Sequence, residues 1–182
     1  GTLRLFSVPE IGKDRRRPIR WTRAINEAHQ KGTFPVVKFR TRKEALGQVL
    51  GGNWSLCLDF AAYYDQFLLP VAIQHLHCFR HRGESFCVTR LPMGQRQAVC
   101  VAVGATRRLL SFALPPGVVV DDCIDNVRFV GPREGVIEAA HRFVERCRAV
   151  GATLNEVSMA RRNPWRPTWL CPVSPQQLRR GG

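Results

Sequence analysis

Between residues 118 and 130 the chain reads Val-Val-Val-Asp-Asp-Cys-Ile-Asp-Asn-Val-Arg-Phe-Val, two apolar runs around a polar tip that carries Asp125. That pattern commits the segment to a hairpin, because β-branched runs flanking Asx residues form strands joined by a turn. Earlier in the chain, the apolar run Trp54-Ser-Leu-Cys-Leu ends on a second acid, Asp59. Carboxylates at strand ends cost desolvation energy unless something cationic compensates them, and two aimed at one spot make a site for a hard divalent ion. The alternatives are local: Asp59 caps a turn, and Asp125-Asn126 is the turn that Asx residues favour.

A chain of 182 residues with 45% hydrophobic content fits one domain, or one domain with a small appendage, and has enough apolar surface for a core. Twenty-eight Lys and Arg against fourteen Asp and Glu give a formal charge of +14, a field that attracts a polyanion. Nucleic acid is the expected partner, with a solvated basic surface of the ribosomal kind as the alternative. That alternative gives no reason for acids at two strand ends. No apolar run reaches the roughly 18 residues of a membrane span. The seven cysteines (57, 78, 87, 100, 123, 147, 171) include no C-x-x-C pair, so neither a zinc site nor a disulfide framework is signalled, and most are expected as buried thiols. An odd count without a signal peptide fits a reducing, intracellular setting, in cytoplasm or nucleus. The first residue is Gly rather than Met, as expected for a piece of a longer polyprotein.

Thr41-Arg-Lys-Glu44 is a capping box that starts a helix over about 42–50, which Gly51-Gly52 can end in left-handed geometry. Residues 54–60 are apolar enough for a central strand, and 67–73 and 76–80 read as extended, leading to a turn at His81-Arg-Gly-Glu84 and a strand at 85–90. Ala98, Val99, Ala102, Ala105, Leu109 and Phe112 have helical spacing until Pro115-Pro116-Gly117 stops it. After the hairpin, Val136, Ile137, Ala140, Phe143, Val144, Cys147 and Val150 keep one face of a helix that Gly151 ends. This order describes an α+β fold, a sheet with helices packed on one side. Beyond residue 160 three prolines (164, 167, 172) and a run of Arg and Trp predict an irregular tail.

Four segments carry a further pattern: Arg17-Pro-Ile-Arg-Trp-Thr-Arg-Ala-Ile-Asn26, Leu58-Asp-Phe-Ala-Ala-Tyr-Tyr-Asp-Gln66, Leu91-Pro-Met-Gly94 and Cys123-Ile-Asp-Asn-Val-Arg-Phe-Val130. In this order and separation they resemble the fingers and palm of a retrotransposon reverse transcriptase, closest to the gypsy-like and tyrosine-recombinase (DIRS-like) groups. Arg17, Pro18, Arg23 and Asn26 fit a fingers strand, although Trp21 stands where the family has an acid. Asp59, Tyr64 and Gln66 fit the first palm motif, and Tyr63 takes the place of Tyr64 if the register slips by one. Cys123-Ile-Asp-Asn126 is similar to the Tyr-x-Asp-Asp hairpin, with Asn126 for the second Asp. Asp121-Asp122 is the competing register, rejected because it puts two polar residues into the returning strand. Gly151-Ala-Thr-Leu-Asn155 extends the likeness, but Ser158 stands where the family has Lys.

The resemblance implies partial fingers over 1–53, a polymerase palm with an inserted fingers segment over 54–160, and a tail over 161–182. It implies RNA-directed DNA polymerisation on an RNA or DNA primer–template with dNTP. Asp59, Asp125 and Asn126 form the catalytic set; Asp59, Asp125 and the Phe60 carbonyl hold Mg²⁺ (or Mn²⁺). Lys13, Arg15, Arg17, Tyr64, Gln66, Met93 and Gly94 contact the nucleotide, with Tyr64 as a ring under the sugar and Gly94 as the point of close backbone approach. Asn126 supplies an oxygen without a charge, so a binding-only remnant of such a domain is the alternative. Thumb, connection and RNase H segments are absent from the pattern.

Overall fold

The computed structural model describes residues 3–12, 14–28, 35–52, 54–162 and 169–173. In chain order the elements are β1 (Arg4–Pro9), β2 (Arg16–Trp21), α1 (Arg23–Ala28), α2 (Arg42–Gly51), β3 (Trp54–Phe60), α3 (Val71–Gln74), β4 (Cys78–His81), β5 (Glu84–Cys87), α4 (Ala98–Leu109), β6 (Val119–Cys123), β7 (Asn126–Gly131), α5 (Arg133–Ala149), β8 (Leu154–Arg162) and β9 (Trp169–Val173). Short 3-10 turns lie at Tyr63–Gln66 and His75–His77. They form two compact units, Gly1–Val37 with Ala62–Ala102, and Lys38–Ala61 with Val103–Gly182.

The second unit is built on a five-stranded antiparallel sheet in the order β6-β7-β3-β8-β9. Alternation along β3 sorts its residues onto two faces. Leu56, Leu58 and Phe60 are buried with Val127 and Phe129 of β7. The apolar stripe of α5 (Val136, Ala139, Ala140, Phe143, Cys147) closes over β3 and β7. Phe143 is the keystone, its ring 5.9 Å from Phe60 and 6.0 Å from Phe129, both edge-on. Burying one such ring is worth about 2–3 kcal/mol before packing gains. Gly151, with φ 72, ends the helix in the left-handed turn expected of it.

Three expectations change here. Gly52 is extended (φ −106) rather than left-handed, and what requires glycine is proximity: a Cβ there would collide with Val130 and lie 2.9 Å from the Gly131 nitrogen. The expected irregular tail instead supplies the end of β8 and all of β9, so strand pairing extends past residue 160. Pro172 is tolerated because β9 is an edge strand and its ladder skips between Leu170 and Val173. The helical stripe of α4 is Ala98, Ala102, Val103 and Thr106, turned slightly from the predicted one.

In the first unit, β1 and β2 form an exposed antiparallel ribbon, with Phe6 and Trp21 rings 6.2 Å apart. Among its described residues two small clusters stand out: Leu3, Ile25 and Val88 against Phe79, and Leu69, Leu91 and Ala98 against Tyr64, Phe67 and Ile73. The segment expected as extended over 67–73 is helical from Val71, because Pro70 presets the φ (−52) of a helix start and Leu68 makes only one isolated bridge, to Arg90. The turn of the β4–β5 hairpin falls at Arg82 and Gly83, both with positive φ, within the predicted tetrapeptide. Cys78 and Cys87 oppose each other across that hairpin, with Cα atoms 4.0 Å apart, and form a disulfide. Cysteine spacing signals no disulfide, and most cysteines are expected as buried thiols; this pair's proximity comes from hairpin register, which spacing alone does not reveal. Of the four free cysteines described, only Cys147 is buried; Cys57 and Cys100 are half-buried and Cys123 is exposed.

Candidate functional site

The other face of the sheet carries the chemistry. Pleating turns Ser55, Cys57 and Asp59 of β3 away from α5. Strand register then aligns residues in rows across β6, β7, β3 and β8. One row is Cys123, Asn126, Asp59 and Glu156; the next is Asp121, Arg128, Cys57 and Ser158. Asp59 thus lies directly opposite Asn126, and Ser158 directly opposite Cys57.

Asp125 occupies the two-residue turn between Cys123 and Asn126. Ile124, the other turn residue, takes a φ of 54, an uncommon conformation for a β-branched side chain and one that costs of order 1–3 kcal/mol. The Phe60 amide donates to the Asp125 carbonyl (2.9 Å), extending the ladder past Asp59 and fixing the turn against the end of β3. On the open face the Cys57 thiol is pushed up, first by burial; Arg128 opposes the rise, and Asp59 and Asp125 both add to it. Both carboxylates therefore stand within electrostatic reach of a single thiol. The two strand-end acids share one neighbourhood.

Their partners are neutral. Asn126 Nδ2 donates to Asp125 Oδ1 (3.0 Å), and Asn155 Nδ2 donates to Asp59 Oδ2 (3.3 Å). Asn126 Oδ1 accepts from the Cys57 thiol at 3.7 Å. The acids of the rejected register have cations instead. Arg107 Nε meets Asp122 Oδ2 at 2.8 Å while its Nη2 donates to the Lys38 carbonyl, and Arg40 Nη1 lies 3.8 Å from Asp121 while donating to the Val120 carbonyl. Asp121 and Asp122 thus bind two arginines to β6. Among the described residues no group of three or more His, Cys, Asp or Glu is arranged to hold a metal ion.

The remaining predicted residues belong to the first unit, apart from Lys13, which lies outside the described residues. Arg15 Nε (2.7 Å) and Arg17 Nη2 (3.2 Å) share the carboxylate of Glu10, and Arg16 Nε donates to Ser7. One acid against three guanidiniums leaves the ribbon strongly positive. Tyr63 is the buried ring and Tyr64, 5.3 Å away, the half-exposed one, with half-buried Gln66 on the same 3-10 turn. Asn26 ties the first motif to the third: its Nδ2 donates to the Gly94 carbonyl (2.9 Å) and its Oδ1 accepts from the Arg96 amide (2.8 Å). Arg20 ties it to the second through Asp65 (2.5 Å). Met93 and Gly94 are exposed, and Gly94 has a φ of 92. In the sequence Asn155 is legible only as the end of the Gly151–Asn155 likeness, and Cys57, Arg40 and Arg107 have no assigned role; the contacts of all four are made with segments distant in sequence.

No family model and no curated protein sequence matches the chain. Solved structures do. The native prototype foamy virus protease–reverse transcriptase is similar with a TM-score of 0.69 at 16% identity, over 84% of this chain and 20% of that one. The foamy viral protease–reverse transcriptase dRH in complex with double-stranded DNA gives 0.70 at 15% identity, over 85% and 26%. The foamy viral enzyme with an RNA/DNA hybrid gives 0.62 at 17%, over 85% and 20%. This chain therefore has a reverse-transcriptase-like fold and spans about a fifth to a quarter of those proteins' length.

Proposed function

We propose that this chain carries the fingers and palm of a retroelement reverse transcriptase, of the gypsy-like or DIRS-like kind, and performs template-directed nucleotidyl transfer on a primer–template. The observation that carries the reading is register: Asp59 lies opposite Asn126, whose carboxamide donates to Asp125, and neither acid has an arginine or lysine ion pair among the described residues. The fold and the nucleic-acid complexes of its structural neighbours support it, as does the charge of +14.

The donor set fits Mg²⁺ of the substrate-assisted kind, which is held through one or two carboxylates plus phosphates. Asp59 and Asp125 would hold it, with the Phe60 carbonyl as a further oxygen. Bound there, the ion would supply charge neutralisation and activation of a hydroxyl nucleophile. In the first unit, taken by itself, the resemblance would give Arg15 and Arg17 phosphate to neutralise, their guanidinium forks matching its oxygens, and would give Tyr64, Gln66 and the Met93-Gly94 turn contacts to the nucleotide. No helix among the described residues is long and apolar enough to cross a membrane.

A specific observation favours a second reading, binding without catalysis: each carboxylate already accepts a hydrogen bond from a neighbouring carboxamide, and Asn126 brings no charge. Primer extension with Mg²⁺ or Mn²⁺ on RNA and DNA templates separates the two. Extension that requires the metal and is lost in Asp59→Asn is the expected result. Binding without extension, under conditions where the chain is folded, leaves the second reading. In either case primer–template affinity falls about a thousandfold between 50 and 200 mM salt, the slope of some six phosphate contacts. A salt-independent affinity contradicts both.

A further inference from the structure

We infer that Asn155 is a positioning residue for Asp59, placed by a bulge in β8; the inference rests on the proposed reading of Asp59 as a metal ligand. The ladder between β3 and β8 pairs Asp59 with Glu156 but Phe60 with Leu154, so Asn155 is an extra residue that nothing on β3 opposes. In an unbroken ladder Asn155 would oppose Phe60, whose side chain goes to the α5 face, and pleating would send the carboxamide there too. The bulge releases it, and its Nδ2 donates to Asp59 Oδ2 at 3.3 Å. The distortion is held on both sides: Ala61 donates to the Thr153 carbonyl (3.0 Å), and pairing resumes at Glu156. Bulges recur beside functional sites because they re-aim one side chain without moving the sheet.

The choice of a carboxamide has a chemical consequence. An arginine at this place would orient the carboxylate but also neutralise it, as Arg107 does for Asp122. A neutral donor fixes one oxygen, presents the other in a set direction, and leaves the full negative charge to attract a cation. Outer partners of this sort raise metal affinity by holding the ligand still. Asn155 is thus the orienting half of a pair whose charged half is Asp59.

The test uses Mn²⁺ alone, its binding to the 182-residue chain followed by electron paramagnetic resonance, with thermal melts as a folding control. Asn155→Leu, of similar size but without a donor, is expected to weaken Mn²⁺ about tenfold, and Asn155→Gln to restore it to within about threefold. Asp59→Asn removes most of the binding. Weak binding in Asp59→Asn combined with wild-type affinity in Asn155→Leu overturns the positioning role and leaves the metal reading intact. An affinity indifferent to Asp59→Asn overturns both. Should Asn155→Leu fail to fold, the side-chain amide resonances of Asn155 decide: they shift in Asp59→Asn if the contact exists, and resonances that stay put remove it.

Discussion

The two faces of the β6-β7-β3-β8-β9 sheet are built from the same strands and differ in everything else. On one, Leu56, Leu58, Phe60, Val127 and Phe129 are sealed under α5. On the other, Asp59, Asn126, Arg128, Cys123 and Ser158 stand half-buried or exposed, and hydrogen bonds replace packing. The first face carries the stability and the second has the freedom to hold charge. The acids of the hairpin divide as well: Asp121 and Asp122 are tied down by arginines, whereas the Asp125 carboxylate accepts from Asn126 and has no arginine or lysine ion pair among the described residues. The acids bound to arginines are neutralised, and those held by carboxamides keep their charge.

If the division is real, mutations on the two faces have separable effects. Phe143→Ala removes the ring wedged between Phe60 and Phe129 and is expected to cost about 3–5 kcal/mol in denaturant unfolding. Asp59→Ala is expected to reduce primer extension about a hundredfold or more, the scale of losing one electrostatic partner in a reacting site. Its unfolding free energy stays within about 0.5 kcal/mol of wild type, as for surface changes. A large stability loss in Asp59→Ala would falsify the separation of the faces, because it would make the acid part of the scaffold.

Sequence patterning reached the covered face more fully than the open one. The α5 stripe, the central strand at 54–60, the hairpin and the capping box (Thr41 Oγ1 accepting from the Glu44 amide, Glu44 reaching back to the Thr41 amide) are local and periodic, and all are present. Val150, predicted for the stripe, is exposed, because α5 ends at Ala149 before its last turn returns to the sheet. The acids at the strand ends were legible as a pair of positions. Their surroundings were not, since the neutral partner of Asp59, the cations on Asp121 and Asp122, and the Cys78–Cys87 bridge all depend on register between segments distant in sequence or on hairpin geometry. Pattern reads one element at a time; register is a property of two.

A smaller effect sharpens the contrast within the hairpin. Asn126→Asp replaces a side chain of nearly the same shape and removes the carboxamide donor to Asp125, adding a charge to the row that holds Asp59. On the proposed reading Mg²⁺ would gain a third carboxylate to hold it, and extension at low Mg²⁺ is expected to rise about tenfold, roughly 1.4 kcal/mol, as an added charge-assisted ligand allows. Asp121→Asn and Asp122→Asn leave extension unchanged, since their partners are Arg40 and Arg107. The reverse pattern, with position 126 indifferent and 121 or 122 essential, would assign the site to the other register.

The smallest effect uses the thiols as reporters of the two environments. Cys147, under the helix face, is pushed up to about 11 by burial alone, from an ordinary value of 9.0. The Cys57 thiol, on the open face, is also raised, but Arg128 works against the burial. A folded-state value above the unfolded one means that the neutral thiol is favoured by folding, so the contribution is complete below pH 9 and is lost as pH rises through 11. The difference in unfolding free energy between wild type and Cys147→Ala should therefore shrink over that interval by on the order of 1 kcal/mol, lysine and tyrosine titration being common to both proteins. Alkylation with iodoacetamide below pH 9 should follow the same geography, with exposed Cys123 modified first, Cys57 next and Cys147 last. A Cys147 that reacts as fast as Cys57, or a stability difference flat in pH, would mean that water reaches the face beneath α5 and that the two sides of the sheet are less distinct than their packing implies.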